Sequence, residues 1–431
     1  MKLTLLALLS SLFLIPSALL AQVEGQLVHK IELTDDASEV IRFGDLNGDG
    51  EADIFLVQSG EKQTITYGKA MTLSGETLWE IGKPNKRNSR ITSDLAVQIF
   101  DFKGKGNSQV IFVRKNKEGK NRLEIRRGTD GVVLRAREIP EGLNDSIAIT
   151  NVGRNGAIEP GIIIKDRYRK ARAFSSQLKS LWRVGGKTGH FPKAFDVDGD
   201  GVNELMIGFT LYTATGKRIW RRDFKRHSDA VDIGDMDGDG IPEIALASSN
   251  DSYLLDADGN VLWQQEHKHS QHAILGNFMW DKPETKQAAF VDRGQDGSIF
   301  VYDREGNEVY AKYNQGWRTI ISTVTGWTGI EGQSLLLAYR RLGGPPVLLD
   351  STGEEVAIFP FPPAVNPANG TMLRHFVQHF DVFGDGRAEM IVHNKNAIWI
   401  YTNPEEAPSE ITVDEKLPKE RIYNASFYVT S

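Results

Sequence analysis

The sequence predicts an all-β fold, an eight-bladed β-propeller closed into a ring by its N-terminal strand. Three observations predict it. An acidic loop followed by a short apolar strand recurs eight times. A tight hairpin ending in an aromatic residue alternates with that loop. The two ends of the chain carry complementary halves of one such unit. Self-similarity of this kind is the signature of a repeat architecture.

The loops come first. Intact copies read DLNGDGEADIFLV from Asp45, DVDGDGVNELMIG from Asp196 and DMDGDGIPEIALA from Asp235. DVFGDGRAEMIV from Asp381 has Phe383 where a third-position oxygen is expected. DFKGKGNSQVIFV from Asp101 and NVGRNGAIEPGIII from Asn151 are decayed, and fainter copies start near Asn277 and Thr325. Seven blades is the alternative, if one faint copy is only a long loop.

Calcium takes six to eight oxygens, and acids at alternate positions of a tight loop aim several carboxylates at one centre. The expected ligands are Asp45, Asn47, Asp49 and Asp53; Asp196, Asp198, Asp200 and Glu204; Asp235, Asp237, Asp239 and Glu243; and Asp381, Asp385 and Glu389. This gives three Ca²⁺ sites and a fourth, poorer one, all structural because they are spread round the ring. In the Asp101 copy, Lys103 and Lys105 are expected to put ammonium groups where the metal would sit. The start of the pattern resembles an EF-hand loop, but a strand follows directly and the twelfth-position Glu is missing.

The hairpins read SGETLW ending at Trp79, TGKRIW at Trp220, DGNVLW at Trp263 and EGNEVY at Tyr310, with weaker forms at Gly131, Trp182 and Gly353. A Gly-containing turn between alternating apolar residues is a hairpin signal. The aromatic residue is expected to pack between neighbouring sheets. EGQLVHKIEL at the start, with Gly25 in the turn position, supplies the strand that the last unit lacks. Closure removes the free sheet edges.

Residues 1–21 hold one Lys and then an apolar run ending at Ala21, the pattern of a secretory signal peptide. The remainder, 22–431, reads as a single propeller domain with an irregular C-terminal segment, 404–431. The chain has no cysteine, so a secreted or periplasmic form must be held by its core or by metal rather than by disulfides. Net charge is −6, which argues against nucleic acid as a partner. No other segment is apolar enough to span a bilayer, and the protein reads as a monomer.

These loops resemble the FG-GAP/VCBS-type calcium loops of integrin α and secreted bacterial propellers. A narrower resemblance is to bacterial rhamnogalacturonan lyases with eight-bladed calcium propellers. It rests on HSDAVDIGDMDGDG from His227 and on DVFGDGRAEMIV followed by IWIYT. The resemblance implies cleavage of an acidic polysaccharide by β-elimination. The chain is shorter than those enzymes and lacks their accessory β-domain.

In a propeller the strand leading into each acidic loop is innermost, so the residues before it ring the opposite mouth. Those residues are polar. A uronate lyase needs a cation to neutralise the carboxylate and a base to take the C5 proton. His227 or His272 is the expected base, and Arg318 and Arg374 the expected carboxylate clamps. His190, Lys193, Asp229, Trp317 and His375 are the expected substrate contacts. HKHSQH, residues 267–272, reads as a His-containing mouth segment in preference to a metal site. The alternative function is a non-catalytic propeller that binds carbohydrate or a cell-surface protein.

Overall fold

The computed structural model describes residues 22–33, 40–60, 63–85, 95–154, 156–295, 297–313, 319–365 and 369–406. The expected signal peptide, residues 1–21, together with Trp317, Arg318 and residues 407–431 of the C-terminal segment, lies outside the described residues.

The described strands group into antiparallel meanders of four, occupying residues 40–82, 97–138, 146–185, 193–221, 230–266, 270–312 and 320–358, numbered here as blades one to seven. The first two are joined into one eight-stranded sheet by a single parallel pair, Ile65 with Arg114. The eighth takes three strands from residues 376–402 and its fourth from Gln26–Glu32. That N-terminal strand runs antiparallel to Ala397–Thr402, with Gln26 opposite Thr402 and Glu32 opposite Ala397. Ring closure by the N-terminal strand is therefore present. Val23–Glu24 adds a contact that the sequence did not announce, pairing in parallel with Glu355–Ile358 of blade seven.

Successive side chains on a strand point to opposite faces. In blade one Ile54 and Leu56 pack with Ile391 and Ile398 of blade eight, whereas Phe55 and Val57 pack with Val110 and Phe112 of blade two. Both faces are buried, which is why these strands read as unbroken apolar runs. Among the described residues the buried core divides into eight clusters, each centred on two consecutive blades, and one is shared by the last and the first.

The hairpin aromatics stitch the outer parts of these seams. The indole N–H of Trp182 donates to the Ala214 carbonyl at 2.9 Å, Trp220 to Ala257 at 2.8 Å and Trp263 to Arg304 at 3.0 Å, each in the next blade's turn. Trp79 donates likewise to Gly128. Each ring lies on the next turn's glycine. A Cβ on Gly131 or Gly216 would stand 2.6 Å from the ring, so those turns tolerate no side chain there. In QLKSLW the turn position is Leu178, held at φ 57°. At the closing seam His29 substitutes for the Trp and donates to the Leu73 carbonyl.

First strands neighbour one another around the channel. Their polar side chains cross between blades. Arg42 donates to the Val97 carbonyl at 3.1 Å and Gln98 to the Ile147 carbonyl at 3.0 Å. Lys193 pairs with Asp232 at 2.8 Å, and Asp232 also accepts the Leu275 N–H at 2.8 Å.

Candidate functional site

The acidic loops join first to second strands at one end of the ring. Their leading Asp is a loop-former. Asp45 accepts the N–H groups of Gly48 and Gly50, Asp196 those of Asp200 and Gly201, and Asp381 those of Gly384, Asp385 and Gly386. Asp101 does the same in the decayed loop, accepting from the backbone of Lys103, Lys105 and Gly106. There the lysines act through their N–H groups, so the loop shape needs no ammonium in the centre.

The last loop position is a clamp. One oxygen of Asp53, Glu204, Glu243 and Glu389 accepts the N–H of Leu46, Val197, Met236 and Val382 respectively. Gln109 and Gln287 make the same bond to Phe102 and Phe278 in loops where an amide stands at the last position. The second oxygen is what remains for a cation. At Glu389 that oxygen is buried with no partner, and burial pushes the carboxyl up to about 7. Burial pushes Asp53 up to about 6. A divalent cation would relieve both, so the donors of the loops at Asp45 and Asp381 fit one. Asp196, Asp198 and Glu204 bring donor oxygens within 4.8 Å of one another, as do Asp235, Asp237 and Asp239. The Asp235 loop differs, because the Arg304 guanidinium already sits 2.8 Å from Asp237 and 3.1 Å from Glu243.

At the opposite end, three of the residues singled out from sequence meet. His190 precedes the first strand of blade four, and His227 and Asp229 precede that of blade five. The Asp229 carboxylate is buried. It accepts Ser249 Oγ at 2.6 Å and Gln271 Nε2 at 3.1 Å, and lies 3.3 Å from His227 Nε2 and 3.5 Å from His190 Nε2. Burial alone would raise this carboxyl, but the hydrogen bonds from His227 and Ser249 outweigh it and hold it below its ordinary value. Burial drives His190 down to about 3, so its imidazole is neutral. His227 differs: its side chain is 33 % exposed, so it meets solvent while Asp229 orients it.

Sequence reasoning missed the neighbours that complete the cluster. Tyr168 packs edge-on against both imidazoles, 5.4 Å from His190 and 5.0 Å from His227. Its hydroxyl lies 3.4 Å from His190 Nε2, and partial burial raises its pKa. Arg167 is held by Asp145 at 2.9 Å. Fully buried Lys165 donates to the carbonyls of Arg167, Gly189 and His190, tying the Tyr168 turn to the His190 segment. These residues sit in the turn between second and third strands, whereas only the segments before first strands were expected to form the mouth. In the sequence they stand in the run KDRYRK between two apolar strands, which shows a charged turn but not what faces it.

The other expected residues lie elsewhere. Lys193 is buried in the channel wall with Asp232. His272 is buried on the first strand of blade six and is driven by burial to about 3. His375 packs on Phe361, with Tyr339 nearby, and Arg374 is half-buried beside it. Of HKHSQH, His267 lies 3.5 Å from Asp292, whose carboxylate also takes the N–H groups of Lys268 and His269.

No family model matches the chain, and no curated protein matches it. Solved structures do. An exotype rhamnogalacturonan lyase, YesX, superposes with a TM-score of 0.66 at 19 % identity, covering 90 % of this chain and 76 % of its own. The V. cholerae biofilm matrix protein Bap1 gives 0.58 at 15 % identity, covering 88 % of each chain. The C-terminal WD40 domain of Sif2 gives 0.54 at 12 % identity, covering 89 % of this chain and all of its own. The fold is a β-propeller. At these identities the likeness carries fold and nothing further.

Proposed function

We propose that this is an exported propeller whose mouth between blades three and five engages an acidic polysaccharide and cleaves it by β-elimination. The observation that carries the reading is the half-exposed His227 oriented by buried Asp229, beside Tyr168 and Arg167. Likeness to a rhamnogalacturonan lyase and a biofilm matrix protein supports the polysaccharide class. Asp229 holds the Nε2 proton of His227 and leaves Nδ1 as acceptor. Nδ1 takes the C5 proton of a uronate, the C4–O bond breaks, and the leaving oxygen takes the Tyr168 proton. Arg167 faces the uronate carboxylate and opposes the charge that builds there.

A second role for the same cluster has its own support: one donor atom each from His190, His227 and Asp229 lies within 4.8 Å of the other two. A divalent cation there would be held by two imidazoles and a carboxylate, and would neutralise the uronate carboxylate.

The test is incubation with rhamnogalacturonan and other uronate polymers, with calcium, while following ultraviolet absorbance of the unsaturated uronate. A rise on one polymer class is expected. Binding with no rise on any polymer would reduce the protein to a carbohydrate-binding propeller. Elemental analysis of wild type and His227→Gln separates the two roles, because the cation reading requires one equivalent of metal to be lost.

A further inference from the structure

Charge is segregated along this chain. Residues 165–226 hold fifteen Lys and Arg against six Asp and Glu, a surplus of nine in a chain whose net charge is −6. Four of those six acids, Asp196, Asp198, Asp200 and Glu204, belong to the acidic loop at the far end of the ring. The fifth, Asp166, caps its own turn by accepting the N–H groups of Arg169 and Lys170. The sixth, Asp223, pairs with Lys187 at 2.9 Å. Lys165 and Lys193 are buried, and Lys179, Lys217 and Arg218 lie in or beside the turns between third and fourth strands, at the acidic-loop end. On the side of Tyr168, His190 and His227 the exposed bases are Arg169, Lys170, Lys187, Arg221, Lys225 and Arg226.

Those bases lie along a continuous path. The Thr188 N–H bonds the Tyr168 carbonyl and the Gly186 N–H bonds the Arg169 carbonyl, so the Tyr168 turn lies against residues 186–188. From Thr188 a cleft of about 70 Å³ runs past Gly185, Gly186 and Lys187 to Arg218, Arg221 and Arg222. It opens on a trough of about 410 Å³ lined by Arg218, Arg221, Arg222 and Asp223. Arg169, Arg218 and Arg221 are exposed. Edge strands often carry cations merely to prevent sheet pairing. The outer strands of blades two, three, six and eight also carry Lys or Arg, so edge protection accounts for part of the run. In blade four Arg222, Lys225 and Arg226 continue it beyond the strand.

We propose that this track binds the anionic polysaccharide chain as it leaves the mouth, so that the ligand is a polymer with carboxylates spaced along it. This rests on the reading that the mouth takes an acidic polysaccharide. Arg222 is fixed by its bonds to the Gly259 and Asp258 carbonyls and to Asn260, and Lys187 by Asp223 and the Phe224 carbonyl, whereas the exposed Arg169, Arg218 and Arg221 are spaced along the surface. Spaced, exposed cations suit a flexible polyanion bound through repeated weak contacts.

The test compares wild type with Arg169→Gln/Arg218→Gln/Arg221→Gln, and with the matching Arg→Lys variant, for binding polygalacturonate, trigalacturonate and fully methyl-esterified polymer over a salt series. The expected result is roughly tenfold weaker polymer binding by the Gln variant, with a shallower salt dependence, and recovery in the Lys variant. Trigalacturonate, which fills only the mouth, should bind both proteins alike. The track is overturned by equal polymer affinity in all three proteins, by no polymer binding in wild type, or by equal loss on the trimer. Equal binding of the esterified polymer also overturns it. Tighter binding of single-stranded DNA of matched charge would overturn the polysaccharide assignment. Polymer binding that behaves as expected without any unsaturated product would sink the elimination chemistry and leave the track standing.

Discussion

The two ends of the ring obey different rules. At the acidic-loop end six blades repeat one device, an acid or amide at the last position that clamps the loop. Blade three departs from the expected loop: Asn151 lies inside the strand Ser146–Arg154, opposite Pro160, so its two strands run straight into a hairpin. Gln109 and Gln287 keep the clamp with an amide in place of the acid. At the mouth the symmetry breaks. Only blades three to five bring two imidazoles, a buried carboxylate, a tyrosine and an arginine together among the described residues. What is repeated serves the scaffold, and what occurs once is where chemistry is to be sought.

The largest effect should come from the mouth. His227→Gln is expected to cut the rate of unsaturated-product formation by about 10²–10⁴. Its melting temperature should stay at the wild-type value, because the side chain is partly exposed. Chelation should act on the other end. Each filled loop contributes about 2.7 kcal/mol when calcium is a hundredfold above its dissociation constant. Calorimetry with excess chelator should therefore show a clear drop in melting temperature, and an unchanged curve would remove calcium from the loops.

A smaller effect separates clamp from ligand. Without calcium, Glu204→Gln should unfold within about 0.5 kcal/mol of wild type, since an amide oxygen serves the Val197 N–H as well. Glu204→Leu should lose about 1 kcal/mol in urea titration. With calcium, both should lose the metal's contribution, and a Gln variant that keeps it would show that Glu204 is only a clamp.

The last effect appears only in acid. Burial among Tyr339 and Phe361, beside the Arg341 backbone, takes His375 down to about 4 from its usual 6.5. Its folded pKa lies below its unfolded one. The unfolded chain therefore binds the extra proton as pH falls from 6.5 towards 4, and stability declines across that window by roughly 1 kcal/mol per pH unit. Urea midpoints against pH should be flatter for His375→Phe.

The scaffold was legible because its causes are local. Asp-x-Asp-Gly loops, Trp four residues after a turn glycine and the spare N-terminal strand each require particular residues at fixed spacing. His190, His227 and Asp229 were legible for the same reason, since each stands a few residues before a first strand. Tyr168, Arg167, Lys165 and Ser249 were not. Their roles depend on which blades the ring places side by side, and a turn sequence such as KDRYRK carries no mark of what faces it. Lys193 shows the converse: its position in sequence suggested the mouth, but Asp232 on the next blade draws it into the channel wall.

The most direct test of where this protein works is amide hydrogen exchange with and without a saturating acidic polymer, at constant calcium. Protection is predicted in residues 166–170, 186–190 and 222–229, with no change in the loops at 45–53 and 235–243. Protection confined to those loops, with the mouth unaffected, would contradict the assignment.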